Sequence, residues 1–320
     1  MIRRRAAHGQ RGAALLLAMI VMTLVATLAS AMVWHQTRAV QLEAAERARA
    51  QAGWILQGAV DWGREVWRRN AGDSPSGQQP WDLEVAEGRL SSFLATDREQ
   101  SADVAVDAFL AGRVEDAQSR YNLRNLVDGE GRLRPAELAT LRRLFEALAL
   151  PEAPDALAAA LVQAWGGRVA DPRQPPALAP GRLEQLAWLG VGEATLARLR
   201  PFVDVLPEPT PLNLNTAPRE VIYAVLDGLD MGSASRLVRQ PGNRFRTLEE
   251  VRAQELVPAP VTLDPSRVAV TSNHAWVVVT VRLDERAMSE TALLQRRGAG
   301  AAADVRVVRR ERQAGVVQRP

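Results

Sequence analysis

The stretch R-G-A-A-L-L-L-A-M-I-V-M-T-L-V-A-T-L-A-S, Arg11 to Ser30, decides how the rest of the chain is read. From Ala13 to Trp34 no residue carries a charge. About 20 apolar residues in a helix, at roughly 1.5 Å each, match a hydrocarbon core of roughly 30 Å. Arg3, Arg4 and Arg5 precede this run. They hold the N-terminus in the cytoplasm, so that the remainder of the chain is exported. A secretory signal peptide has a shorter apolar core followed by a small-residue cleavage site. Ala29-Ser30-Ala31 imitates such a site and gives the competing reading.

The helical pattern does not stop at Trp34. The first proline is Pro75, and the residues between are rich in helix formers. Ala45, Ala48, Ala52, Ile55, Ala59, Trp62 and Val66 recur at steps of three and four, forming one apolar face among Arg, Glu and Gln. Ala13 to Asn70 is therefore expected to be one helix, on the order of 85 Å long at 1.5 Å per residue. Its first half is apolar all round and its second half is amphipathic. The turn-rich D-S-P-S-G-Q-Q-P, Asp73 to Pro80, closes it.

Composition narrows the function classes. The 320 residues suffice for two ordinary domains. With no cysteine there is no disulfide, thiolate zinc site or iron–sulfur cluster. His8, His35 and His274 form no metal-ligand spacing. All 40 basic residues are arginine, which inflates the pI of about 10.3. Without residues 1–12 the chain loses four arginines and no acid, leaving 36 Arg against 37 Asp and Glu, a net charge of −1. Global charge thus gives no support to a polyanion partner. No nucleophile elbow, phosphate loop, zinc-protease helix or dinucleotide fingerprint is present. Glu249-Glu250 is better placed to cap a helix than to do acid–base chemistry. The chain is read as a non-enzyme.

A short basic leader, Gly12 directly before the apolar run, and a long half-amphipathic helix resemble the type IV pilin-like proteins. The resemblance implies cleavage by the prepilin peptidase between Gly12 and Ala13, with Ala13 becoming a methylated N-terminus. Glycine suits a scissile position because it lets the backbone extend into a protease groove. Most family members place glutamate at the fifth mature position, where this chain has Leu17. A carboxylate among apolar helices is costly unless paired. In pilin filaments it is thought to meet the N-terminal amine of the subunit above. A leucine there suits a subunit with nothing above it, and one pilin-like class lacks the glutamate: the K minor pseudopilins of type II secretion systems.

The body extends that resemblance. D-A-Q-S-R-Y-N-L-R-N-L, Asp116 to Leu126, is similar to a D-A-x-G-R-x-N-L-N-N-L segment of those pseudopilins, and Val114 to Leu123 suits a strand flanked by turns. Pro135–Leu150 and Ala153–Trp165 have helical spacing of Leu and Ala. Leu-Gly-Val-Gly, 189–192, between two short helical stretches looks like a helix–hairpin–helix, and Leu212 to Leu229 opens a second such unit. Thr216 is the expected N-cap there, with Pro218 in the first turn. Thr247-Leu-Glu-Glu250 supplies a capping box. Arg267–Ser272, Ala275–Leu283, Met288–Arg296 and Asp304–Arg309 read as strands. Val277 to Val279 fits either a central strand or an edge.

Together these features identify the chain as resembling the K minor pseudopilin family. The implied fold is α+β: a pilin-like fold in which the long helix packs on an antiparallel sheet, with a large inserted all-α domain containing helix–hairpin–helix-like units. The implied segments are a cleaved cytoplasmic leader (1–12), the transmembrane (13–34) and periplasmic (35–72) halves of the helix, the first part of the pilin-like domain (73–124), the helical insertion (125–266), and the terminal strands and tail (267–320). Implied partners are the I, J and H minor pseudopilins, the prepilin peptidase and the inner-membrane assembly platform, with secretin or cargo as further candidates. The protein would sit in the inner membrane as a single-pass protein, then at the periplasmic pseudopilus tip. No cofactor is implied apart from calcium. Where family members carry an acidic D-W-x-D-x-D, this chain reads Q-A-W-G-G-R-V-A-D-P, retaining Asp171 alone. Calcium takes six to eight oxygens, so no metal site is identified. The alternative is a membrane-anchored DNA-binding protein of the competence-receptor kind, since helix–hairpin–helix units bind phosphate through hairpin amides. Asp227 and Asp230 beside the second hairpin oppose it.

Overall fold

Sixty proline-free residues form a single helix, α1 (Gln10–Arg69; 60 residues). The structure is a computed structural model that describes residues 10–69, 81, 84–91, 108–166, 178–239, 243–283, 286–298 and 303–316. The expected turn at Asp73–Pro80 lies outside those residues. Two compact units are present, Met1–Ile55 and Leu56–Pro320, and α1 contributes to both.

In the first unit every residue from Ala13 to Ala44 is exposed. Its hydroxyl side chains are satisfied within the helix. The hydroxyls of Thr23, Thr27, Ser30 and Thr37 donate to the carbonyls of Ile20, Leu24, Ala26 and Val33 at 2.8–2.9 Å. Such back-bonding leaves no hydroxyl donor in need of water, as a segment facing lipid requires.

The second unit is built on a five-stranded antiparallel sheet in the order β1-β2-β7-β8-β9. Its strands are β1 (Glu84–Arg89), β2 (Ala108–Asp116), β7 (His274–Leu283), β8 (Arg286–Arg297) and β9 (Asp304–Val316). β-Branched residues fill β7, the central strand. Val277, Val279 and Val281 are buried on one face, while Val278 and Thr280 between them are half-buried. That alternation places β7 at the centre of the sheet with one face fully covered.

The end of α1 packs on this sheet through Leu56, Val60, Gly63 and Trp67. The spacing is helical, but the buried stripe sits one residue round from the expected one, so Trp62 is 54% exposed. The cause is Gly63. A Cβ on it would lie 3.0 Å from Val277 Cγ1, so the helix crosses β7 at the closest approach a backbone allows. A tally of apolar side chains does not register a glycine as a contact residue. Trp67 fills the space beyond, with the Arg296 guanidinium 5.3 Å over its ring.

Between β2 and β7 the chain leaves the sheet for Ala117–Asn273. The strand read at Val114–Leu123 ends at Asp116, because Asp116 caps a 3-10 turn at Ala117–Ser119. The insertion thus begins earlier, and ends later, than the expected 125–266. It holds α2 (Pro135–Ala147), α3 (Pro154–Trp165), α4 (Glu193–Leu199), α5 (Arg219–Val225), α6 (Met231–Leu237) and α7 (Leu248–Ala253). Pro135 and Pro154 occupy N1 of their helices, where a missing N–H costs nothing. Two short parallel pairings close the insertion. β3 (Tyr121–Asn122) pairs with β4 (Val203–Asp204), and β5 (Leu212–Asn213) with β6 (Val268–Ala269). The strand expected over Arg267–Ser272 is reduced to β6. One apolar core runs through the insertion, from Leu123, Leu126 and Leu144 to Leu161, Leu199, Ile222 and Leu237.

Gly63 and Gly58 make a paired test. Gly63→Leu should drive α1 off Val277 and destabilise the second unit by about 1–3 kcal/mol. Gly58 has no atom within 4 Å of a built Cβ. Gly58→Ala should therefore stabilise by up to about 1 kcal/mol through helix propensity. Urea denaturation of both variants, with opposite signs expected, checks the contact.

Candidate functional site

Gly12 and Ala13 lie in the first turn of α1, which begins at Gln10. Helix ends fray readily, so a peptidase that takes its substrate extended needs only to unwind that turn. Ala13 and Leu17 are four residues apart and therefore share one helix face. Leu17 is 64% exposed, and so are its apolar neighbours. The three residues singled out from sequence thus occupy one end of one exposed apolar rod.

The second concentration of chemistry lies where the insertion meets the sheet. Asp116, at the end of β2, is buried. Its Oδ1 accepts from the Gln118 amide at 2.8 Å, and its Oδ2 accepts from Asn213 Nδ2 at 2.7 Å and Thr216 Oγ1 at 2.5 Å. Asn213 Nδ2 also reaches Ser272 Oγ at 3.0 Å. One carboxylate thereby joins the outgoing chain, the middle of the insertion and the returning chain. Thr216 is consequently not the N-cap expected of it. Pro218 takes that position, and the hydroxyl turns to Asp116.

Amide side chains continue the network. Gln118 Oε1 accepts from the Asn273 and His274 amides, while its Nε2 donates to Pro211 O at 2.8 Å. Asn125 bonds both the amide and carbonyl of Thr210 at 2.9 Å. Asn122 accepts from the Leu206 amide and donates to Glu208 O. Asn215 holds Phe245 through both its amide and carbonyl, and donates to Val270 O. The sequence reading quoted these motifs but assigned them no contacts. Buried side-chain amides that replace a missing strand partner are what D-A-Q…N-L-R-N-L and L-N-L-N-T encode. The only available signal was the density of Asn and Asp beside fully apolar runs.

Titration of this seam has two opposing parts. Burial pushes the Asp116 carboxyl up, against donors from Ser272, Thr216, Gln118 and Asn213. Burial also raises Asp204, despite a 2.6 Å bond from Trp276 Nε1. The folded state holds the protons of these acids more tightly than the unfolded chain does, so their contribution to stability declines as pH rises above the ordinary Asp value of about 3.9. His274 runs the other way. It is 1% exposed with neither ring nitrogen bonded, and burial lowers its pKa. Its contribution is complete above the ordinary histidine value of about 6.5 and is lost as pH falls below it.

Both hairpins are engaged inside the protein. At the first, Gly190 turns the chain with φ +86. The next helix, α4, meets Glu152, which accepts from Thr195 in its first turn and lies 4.0 Å from a Cβ built on Gly192. At the second, Arg143 donates to the carbonyls of Tyr223, Leu226 and Leu229 and pairs with Asp227 at 3.0 Å. Asp230 caps α6 by accepting from the Ser233 amide at 2.9 Å. At both hairpins the helix that follows thus has a carboxylate of this chain beside its first turn, Glu152 at α4 and Asp230 at α6. Among the described residues no group of three or more His, Asp or Glu could hold a metal ion, and Asp171 lies outside them.

Two family models, both described as type II secretion system (T2SS), protein K, match residues 119–208 and 212–271. Together the two segments span 150 of the 320 residues, and over them the chain is similar to type II secretion system protein K. Between them the matched segments contain Asn122, Asn125, Asn213 and Asn215, while Gln118 stands one residue before the first of them. The Type II secretion system protein K of Pseudomonas aeruginosa is 26% identical over 322 residues, covering 95% of this chain and 93% of that protein. The protein of the same name from Klebsiella pneumoniae is 29% identical, over 65% of this chain and 67% of its own length. A crystal structure titled as the GspK-GspI-GspJ complex of enterotoxigenic Escherichia coli matches in fold. The TM-score is 0.62 at 18% identity, covering 85% of this chain and 99% of that chain. This chain accordingly shares the α+β fold of that structure, with an apolar N-terminal helix long enough to cross a membrane.

The seam generates two tests. Asp116→Ala strands three donors in a buried site and should cost about 2–4 kcal/mol in urea denaturation. His274→Phe removes the only histidine in the seam. The fall in Tm between pH 7.5 and pH 5.5 should be smaller in that variant than in the parent protein, and an unchanged pH dependence would remove His274 from the account.

Proposed function

We propose that this chain is a type II secretion system protein K, exported as a single-pass inner-membrane protein with residues 1–12 in the cytoplasm. The prepilin peptidase cuts it after Gly12, and it assembles from Ala13 onward into the tip of a pseudopilus. The observation that carries this reading is the position of Gly12. It stands directly between the basic leader and an uncharged, fully exposed helix, in a chain whose body is similar to protein K.

The I and J minor pseudopilins are the expected partners, with H below them. A complex of GspK with GspI and GspJ, solved for the E. coli system, supports that choice. The insertion makes the head bulky, which hinders another subunit from stacking above it. Leu17 fits such a terminal place, since no neighbouring amine is needed to neutralise a carboxylate. From the tip, the insertion faces the secretin or exported cargo. The role is mechanical, without catalysis or a cofactor.

Co-expression with the prepilin peptidase should yield protein whose N-terminal residue is Ala13. An intact Met1, or a cut after Ala31, would sink the proposal. Leu17→Glu should leave cleavage unchanged but reduce co-purification with I and J, because the carboxylate enters an apolar packing site without a partner. The full chain should show no DNA retention. Binding that weakens steeply with salt would instead favour the DNA-receptor reading.

A further inference from the structure

The two edges of the sheet differ. β1 is short, 6 residues, and its pairing with β2 is broken between Val85 and Gly88. Short, bulged strands are poor templates for further pairing. β9 is 13 residues long and pairs with β8 over 12 positions. No backbone partner occupies its outer side among the described residues. One bulge, opposite Leu293/Leu294, leaves a regular run from Arg309 onward.

Charge is concentrated at that edge. β8 and β9 together carry seven arginines against three carboxylates, Glu290, Asp304 and Glu311. The mature chain as a whole is close to neutral. Glu290 is 1% exposed and serves two guanidinium groups at once, those of Arg310 and Arg312. One positive charge is therefore left over where both side chains remain 37% and 46% exposed. Arg306, outside the bulge, is 65% exposed and pairs with Asp304 on its own strand. Arg64 of α1 and residues 304–310 line an open groove of about 530 Å³ beside the strand.

We propose that the outer edge of β9 receives an extended acidic segment of a partner polypeptide, which joins the sheet as a sixth strand. Unpaired N–H and C=O groups supply the main-chain bonds and the arginines select carboxylates at alternate positions. A nucleic acid would meet the charge but could not use the strand's alternating backbone donors and acceptors.

The probe is a capped octapeptide alternating Val or Thr with Asp or Glu, added to the full chain in detergent. Amide hydrogen exchange should slow in β9 and leave the insertion unchanged. A Lys-for-acid version of the peptide should protect β9 at least tenfold less. Arg306→Glu should weaken the acidic peptide severalfold and improve the Lys peptide, a reversal that general unfolding cannot produce. Protection elsewhere, no protection, equal protection by both peptides, or competition by single-stranded DNA of equal charge would each overturn the proposal.

Discussion

The hydrogen bonds that converge on Asp116 are the constraint on which the rest of the second unit depends. A 157-residue excursion has been placed between two neighbouring strands of one sheet, and the sheet retains its register only if both ends of the excursion are held at one point. A hydrophobic contact could bury the junction, and Ala117, Leu206, Trp276 and Leu293 do so. Apolar packing is non-directional, however, and would allow the two chain ends to slide. A buried carboxylate with three donors, Gln118 at the start of the excursion and Asn213 and Thr216 in its middle, has one geometry that satisfies it. Its desolvation is the cost of that specificity, visible in its raised pKa.

The same logic explains why side-chain amides gather there. Where β2 ends and the insertion begins, peptide groups lose their strand partners while still buried. Asn and Gln present one donor and one acceptor in the same spacing as a peptide group. Asn125 on Thr210 and Asn215 on Phe245 each replace a missing strand pair with a two-point contact. Gln118, accepting from the Asn273 and His274 amides, ties the start of the insertion to β7 in the same way, while Asn125 and Asn215 brace the insertion itself.

Much of this architecture was legible in the sequence, and unevenly so. The uncharged run after Gly12 and the absence of proline before Pro75 determine α1 almost by themselves, because period and length are strong signals. β7 and the first half of β9 were legible from their β-branched residues, but β9 runs on to Val316, past the expected end at Arg309. What pattern could not supply was contact. The helix stripe was set one residue off because Gly63, with no side chain to count, makes the closest approach. Thr216 was assigned to a cap by its position before Pro218, yet a carboxylate 100 residues earlier competes for the same hydroxyl. Local rules fail where a distant polar group offers a better partner. Gly12, Ala13 and Leu17 could be chosen from sequence because their meaning lies in order along the chain. The Asp116 network could not, because its meaning lies in convergence.

The hairpins show how one local motif can serve opposite ends. A glycine turn feeding a helix N-terminus exposes amides that attract negative charge. Such charge comes here from within: Glu152 at α4, Asp230 at α6, and Arg143 reaching the carbonyls on the other side of the second turn. Each turn is thereby converted from a surface that binds anions into a joint between helices. Charge satisfied internally leaves the insertion rigid and electrostatically quiet, and the unbalanced arginines remain at β8 and β9. The division is one of place: the insertion meets its charges from within, while the outer edge of β9 has no backbone partner among the described residues.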